Sequence, residues 1–126
     1  MLISGEGIWL NEEKFELFAC HSFDGSDLTR ARLVRGEVHD LGVIYRPEKV
    51  SASMKKFELS GHESGLIQLK KGANFLFCAR GSVICAGISI QEGETLEIAQ
   101  GVESINLASR EHSTLILISV LNNVLI

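Results

Sequence analysis

From about residue 50 onward the chain keeps returning to one pattern, a short run of alternating apolar and polar residues closed by a glycine or a polar turn. Residues 74–79, 83–86, 88–90, 95–98, 104–108 and 114–121 are such runs, and Gly81, Gly87 and Gly93 lie in the breaks between them. Alternation sends successive side chains to opposite faces, so each run reads as a half-buried strand. Strands at roughly eight-to-twelve-residue spacing, with no long amphipathic helix among them, predict an all-β fold: an antiparallel β-barrel or jelly roll. The sharpest hairpin reads as 74–79 with 83–86, closed by Arg80-Gly81-Ser82, which would set Cys78 opposite Cys85.

A chain of 126 residues, 45% hydrophobic and 22% charged, is long enough for one sizeable core. Its net charge of −4 supplies no basic surface for phosphates, so nucleic acid is not an expected partner. No apolar run approaches the roughly 18 residues of a membrane span, and the first residues, with Glu6 among them, lack the basic start of a secretory signal. Three cysteines are an odd number, which points to reduced thiols and a cytoplasmic setting.

Ahead of the barrel, Ile8, Trp9 and Leu10, a turn at Asn11-Glu12-Glu13, and then Phe15, Leu17 and Ala19 read as an N-terminal hairpin. A helix over 11–19 capped by Asn11 is the alternative. The expected division is therefore 1–22 as hairpin and linker and 23–126 as the barrel. Within 29–34, Arg30 and Arg32 share the face opposite Ala31 and Leu33, and 38–45 reads as a strand apolar on both faces. Residues 115–121, LILISVL, belong on a central or covered strand, and the apolar tail 122–126 is expected to dock.

Phe23-Asp24-Gly25, Ala31-Arg32-Leu33, Gly36, Asp40 and Arg46 follow one another in an order that resembles the HutD/Ves family of cupin-like proteins. His39 stands where that family carries arginine, and Gly42 where it carries asparagine. The resemblance implies a cupin-like barrel that binds a small, carboxylate-bearing metabolite in a regulatory, non-enzymatic role. Family members look like two packed cupin halves, and this chain matches the second half with the last hairpin of the first. A homo-oligomer, most simply a dimer, is the implied completion.

Chemistry-bearing residues are sparse. His21, His39, His62 and His112 are scattered singly, so neither a metal nor another cofactor is expected. No serine or cysteine sits in a nucleophile motif. His39, Asp40, Tyr45 and Arg46, with Arg32, are the candidate ligand-binding residues, since buried polar groups must find partners. Pairing of Asp40 with an arginine to close the barrel end is the structural alternative. A metal-dependent cupin enzyme and an interaction module for a larger protein are the competing functions.

Overall fold

The computed structural model describes residues 1–123, with thirteen β-strands and no helix among them. The docking expected of the tail falls on residues 124–126, outside the described residues. The chain forms two compact units, Met1–Val43 and Ile44–Ile126.

The first unit holds β1 (Leu2–Ser4), β2 (Ile8–Leu10), β3 (Glu13–Phe15), β4 (Ala31–Leu33) and β5 (His39–Asp40). The predicted hairpin is present: β2 and β3 pair Ile8 with Phe15 and Leu10 with Glu13, and β4 adds to the other edge of β2. Asn11 decides against the helix. It takes a left-handed φ of 55°, and its side-chain oxygen accepts the Arg30 N–H at 2.9 Å while its own N–H donates to the Arg30 carbonyl at 2.7 Å. β1 pairs with β5, Leu2 opposite Asp40 and Ser4 opposite His39. The strand expected over 38–45 is thus cut to His39–Asp40, because no strand pairs with residues 41–45 among the described residues and Ile44 is left fully exposed.

The second unit is a jelly roll of β6 (Val50–Leu59), β7 (Ser64–Gln68), β8 (Ala73–Arg80), β9 (Ser82–Cys85), β10 (Ile88–Gln91), β11 (Thr95–Ile98), β12 (Ser104–Ser109) and β13 (Ser113–Asn122). One sheet runs β10-β9-β12-β7 and the other β11-β8-β13-β6. The antiparallel pairs β9 with β10, β8 with β11, β7 with β12 and β6 with β13 are nested around the Ala86-Gly87 turn. Both turn residues have positive φ, 48° and 80°, as a two-residue type I′ connection requires.

That arrangement corrects the hairpin read from 74–79 and 83–86. β8 and β9 lie in different sheets, and Gly81 between them carries the chain from one to the other. Its φ is 77°, and a Cβ there would collide with the Ser113 hydroxyl and the His112 carbonyl. Ser113 closes the crossing, its buried hydroxyl accepting the Ser82 N–H at 3.1 Å and lying 3.0 Å from the Ser82 carbonyl. Cys78 and Cys85 accordingly do not face each other across a hairpin. Each is a free, buried thiol on its own sheet, Cys78 opposite Leu115 and Cys85 opposite Leu107.

Between the sheets Ile67, Val83, Ile90, Ile105 and Leu107 from one meet Leu59, Leu76, Ile98, Leu115 and Leu117 from the other. β13, between β8 and β6, is the covered strand expected of 115–121, buried from Ser113 through Ser119.

Candidate functional site

The five residues singled out from the sequence are all exposed. Arg32 and His39 already have neighbours. Arg32 sits opposite Trp9 in the β2–β4 register and its guanidinium lies 5.3 Å from the indole centroid. His39 stands between Ser4, whose hydroxyl is 2.8 Å from Nδ1, and Glu37, whose carboxylate is 3.2 Å from Nε2. Asp40 pairs through its backbone with Leu2, and its side chain faces solvent. These three belong to the first unit. Tyr45 and Arg46 belong to the second, in the segment before β6, where the Arg46 carbonyl accepts the N–H groups of Lys49 and Val50, both at 3.0 Å. None of the five lines either of two pockets, of about 300 and 280 Å³, in the second unit.

A pocket of about 280 Å³ opens instead within the jelly roll. Ser53, Lys55 and Phe57 alternate along β6, and the register sets Ser119 of β13 opposite Ser53 and Leu117 opposite Lys55. Gln68, the last residue of β7, and Lys70 just beyond it complete the lining with Met54. Alternation places Lys55 on this face. Leu59 and Phe57 pack on the core at one end of β6, and the same face of the strand continues to Lys55, which is exposed, and to half-buried Ser53.

Two lysines meet in this pocket with no acid in its lining. Lys70 donates to the Ser53 hydroxyl at 3.3 Å, and the Lys55 ammonium lies 5.1 Å from the Phe57 ring centroid. Among the described residues neither forms an ion pair. Beneath them the buried Ser119 hydroxyl bonds the Asn74 side-chain oxygen at 2.7 Å, and the Asn74 amide donates to the Lys70 carbonyl at 2.8 Å. A satisfied polar pair in the core thus fixes the backbone that carries Lys70. Gly72 is part of the same turn. At φ 105° it packs so closely on Val120 that a Cβ would strike the Val120 carbonyl.

The remaining reactive groups do not form a second centre. Burial pushes the Cys78 thiol up to about 11 and raises that of Cys85, so both stay protonated and poorly nucleophilic at neutral pH. Among the described residues no three His, Cys, Asp or Glu side chains are grouped to hold a metal ion. No helix among them is long and apolar enough to cross a membrane.

The family model for HutD matches residues 1–117. The chain belongs to the HutD family. Among solved structures, a conserved protein of unknown function from Pseudomonas aeruginosa PAO1 superposes with a TM-score of 0.74 at 16% identity, covering 96% of this chain and 69% of its own. HutD from Pseudomonas fluorescens SBW25, in a formate condition, gives 0.72 at 19% identity, covering 98% of this chain and 66% of its own. This HutD-family chain thus spans about two thirds of the length of each, and at these identities the likeness is one of fold. Among curated proteins nothing matches the sequence.

Lys55 and Lys70 escaped the sequence reading of this HutD-family protein because each precedes a second lysine, Lys56 and Lys71, and such pairs look like solvated surface. The signal was present in the alternation: Lys55 falls two residues from Phe57 and four from Leu59, on the inward face.

Proposed function

We propose that this protein is a HutD-family binding or regulatory protein for a small, carboxylate-bearing metabolite, held in the pocket beside Lys55 and Lys70. One observation carries the reading. In a chain of net charge −4, two lysines share a pocket with serine and glutamine and no acid. Two uncompensated ammonium groups favour an anion, and a carboxylate accepts charge-assisted hydrogen bonds from lysine, serine and glutamine alike. The apolar floor of Phe57 and Leu117 suits the carbon part of such a molecule.

Calorimetry with a panel of small carboxylates tests this. Binding that weakens with salt, and falls on the order of tenfold in Lys55→Met and Lys70→Met, supports it; no binding by any carboxylate overturns it. His39→Ala and Arg46→Ala should leave the affinity unchanged, whereas loss in either variant would move the site to the segment that carries that residue. The dimer implied by the two-half resemblance belongs to the same proposal, and solution mass checks it: a monomer at all concentrations removes it.

A further inference from the structure

We propose that the first unit carries a serine esterase centre of its own, with Ser4 as nucleophile, His39 as general base and Glu37 orienting the ring. It is independent of the lysine pocket in the second unit. The Ser4 hydroxyl lies 2.8 Å from Nδ1 of His39, and the Glu37 carboxylate lies 3.2 Å from Nε2 of the same ring. A hydroxyl within hydrogen-bond reach of a base, with the base held by a third group, is the arrangement that activates an otherwise weak nucleophile.

The carboxylate decides where the protons are. An ionised glutamate only accepts hydrogen bonds, so the Nε2 that it faces carries the hydrogen. In the neutral ring Nδ1 is then left with its lone pair, and the Ser4 hydroxyl donates to it. The proton that must leave before Oγ can attack is thus already aimed at the base. With the other tautomer, Ser4 would accept instead and would have no base.

Backbone structure builds the trio. The β1–β5 register sets Ser4 opposite His39, and it shifts between Leu2 and Ser4, an irregularity of the kind that re-aims a side chain. The next residue, Gly5, has a φ of 103°, and a Cβ there would strike the Glu37 carbonyl and the Val38 side chain. The end of β1 is therefore drawn down onto the segment that carries Glu37. On the other side, the Leu41 N–H donates to the Met1 carbonyl at 2.8 Å and continues the pairing.

Ser4 is half-buried, whereas the side chains of His39 and Glu37 are 64% and 81% exposed. None of the three lines either pocket of the second unit. So open a centre suits small esters with good leaving groups, such as aryl acetates, rather than amides. Oγ bonds to the ester carbonyl carbon as its proton passes to Nδ1. The tetrahedral adduct then expels the alcohol, which takes that proton and leaves acyl-Ser4. Water attacks the acyl carbon, giving a proton to Nδ1; the bond to Oγ breaks, Oγ recovers the proton, and the acid departs.

Two measurements on the full chain test this. A fluorophosphonate probe should label Ser4, as located by peptide mass spectrometry. Hydrolysis of p-nitrophenyl acetate is followed with Cys20, an exposed thiol that also attacks such esters, replaced by alanine. Ser4→Ala should abolish labelling and hydrolysis. His39→Ala should lower kcat/KM on the order of 100-fold, with partial rescue by added imidazole. Glu37→Gln should lower kcat by about tenfold with KM unchanged, since Glu37 is a positioning residue that acts through the ring. Circular dichroism checks that each variant folds, and if Ser4→Ala does not, the labelled position in the unaltered chain still decides. No label, a label on another residue, or Ser4→Ala hydrolysing at the parent rate would each overturn the centre. None of these outcomes bears on carboxylate binding beside Lys55 and Lys70.

Discussion

The two units of this chain are built on opposite economies. In the jelly roll, strands of up to ten residues enclose a core in which Leu76, Cys78, Leu115 and Ile116 have no exposed surface. In the first unit no strand exceeds three residues, β4 is exposed throughout, and Leu2 is the buried hydrophobic residue among those described. Small sheets of this kind are marginal when they lack a hydrophobic face to bury. What organises the first unit is polar and exposed rather than packed: the Asn11 bridge to Arg30, the Trp9–Arg32 stack and the N-terminal ammonium on the Leu41 carbonyl at 2.9 Å. Stability is therefore expected to be unequally divided.

The largest effect is expected from Leu115→Ala or Leu76→Ala, which should each cost about 3 to 5 kcal/mol in urea unfolding followed by circular dichroism. Leu33→Ala in β4, 49% exposed, should cost less than about 0.5 kcal/mol. Equal costs would erase the contrast.

Alkaline pH probes the same core. The Cys78 thiol, ordinarily at 9.0, is raised to about 11 chiefly by burial, so its neutral form is favoured by the fold. Its contribution is whole below pH 9 and is lost as pH rises from 9 through 11, by up to about 3 kcal/mol at full ionisation. Melting curves across that range should fall steeply, and Cys78→Ala should flatten most of the slope. Ser119→Ala should come next, at about 2 kcal/mol, because it strands the buried Asn74 oxygen. Calorimetry on the same variant should show weaker ligand binding through the loosened Lys70 turn.

Small effects belong to the first unit. Like Leu33→Ala, Arg32→Ala should cost less than about 1 kcal/mol, and it should also shift the emission of Trp9, the single tryptophan. Because Trp9 reports one unit and far-ultraviolet dichroism is dominated by the strands of the other, the two signals are expected to melt at different denaturant concentrations. Coincident midpoints would join the units into one cooperative block.

Much of the strand map was legible in the alternation. The β2–β3 hairpin, the turn at Gly93 with its φ of 86° between β10 and β11, and the covered position of β13 all follow from period-two patterns and the residues that interrupt them. Pairing partners were not. Alternation tells which face a side chain takes but not which strand lies beside it, so Gly81 read as a hairpin tip although it marks a passage between layers. The true tip at Ala86-Gly87 was concealed because an alanine occupies one of its two left-handed positions. The candidate site shows the same limit. A polar run around His39 and Asp40 read as a strand with a site on it, yet both residues are exposed, whereas the register that sets Lys55 opposite Leu117 beside a pocket is not written in the alternation alone.

Nesting of the strand pairs around Ala86-Gly87 also orders the events by which the roll is made. The tip closes a two-residue loop, whereas each pair outside it must join segments further apart, until β6 meets β13 across most of the unit. Loop entropy rises with each step, so assembly should proceed outward from the tip and finish slowly, in milliseconds to seconds as for other β-proteins of non-local pairing. Until that last closure, the LILISVL segment of a newly made chain is unprotected, and that interval is when self-association would compete with folding.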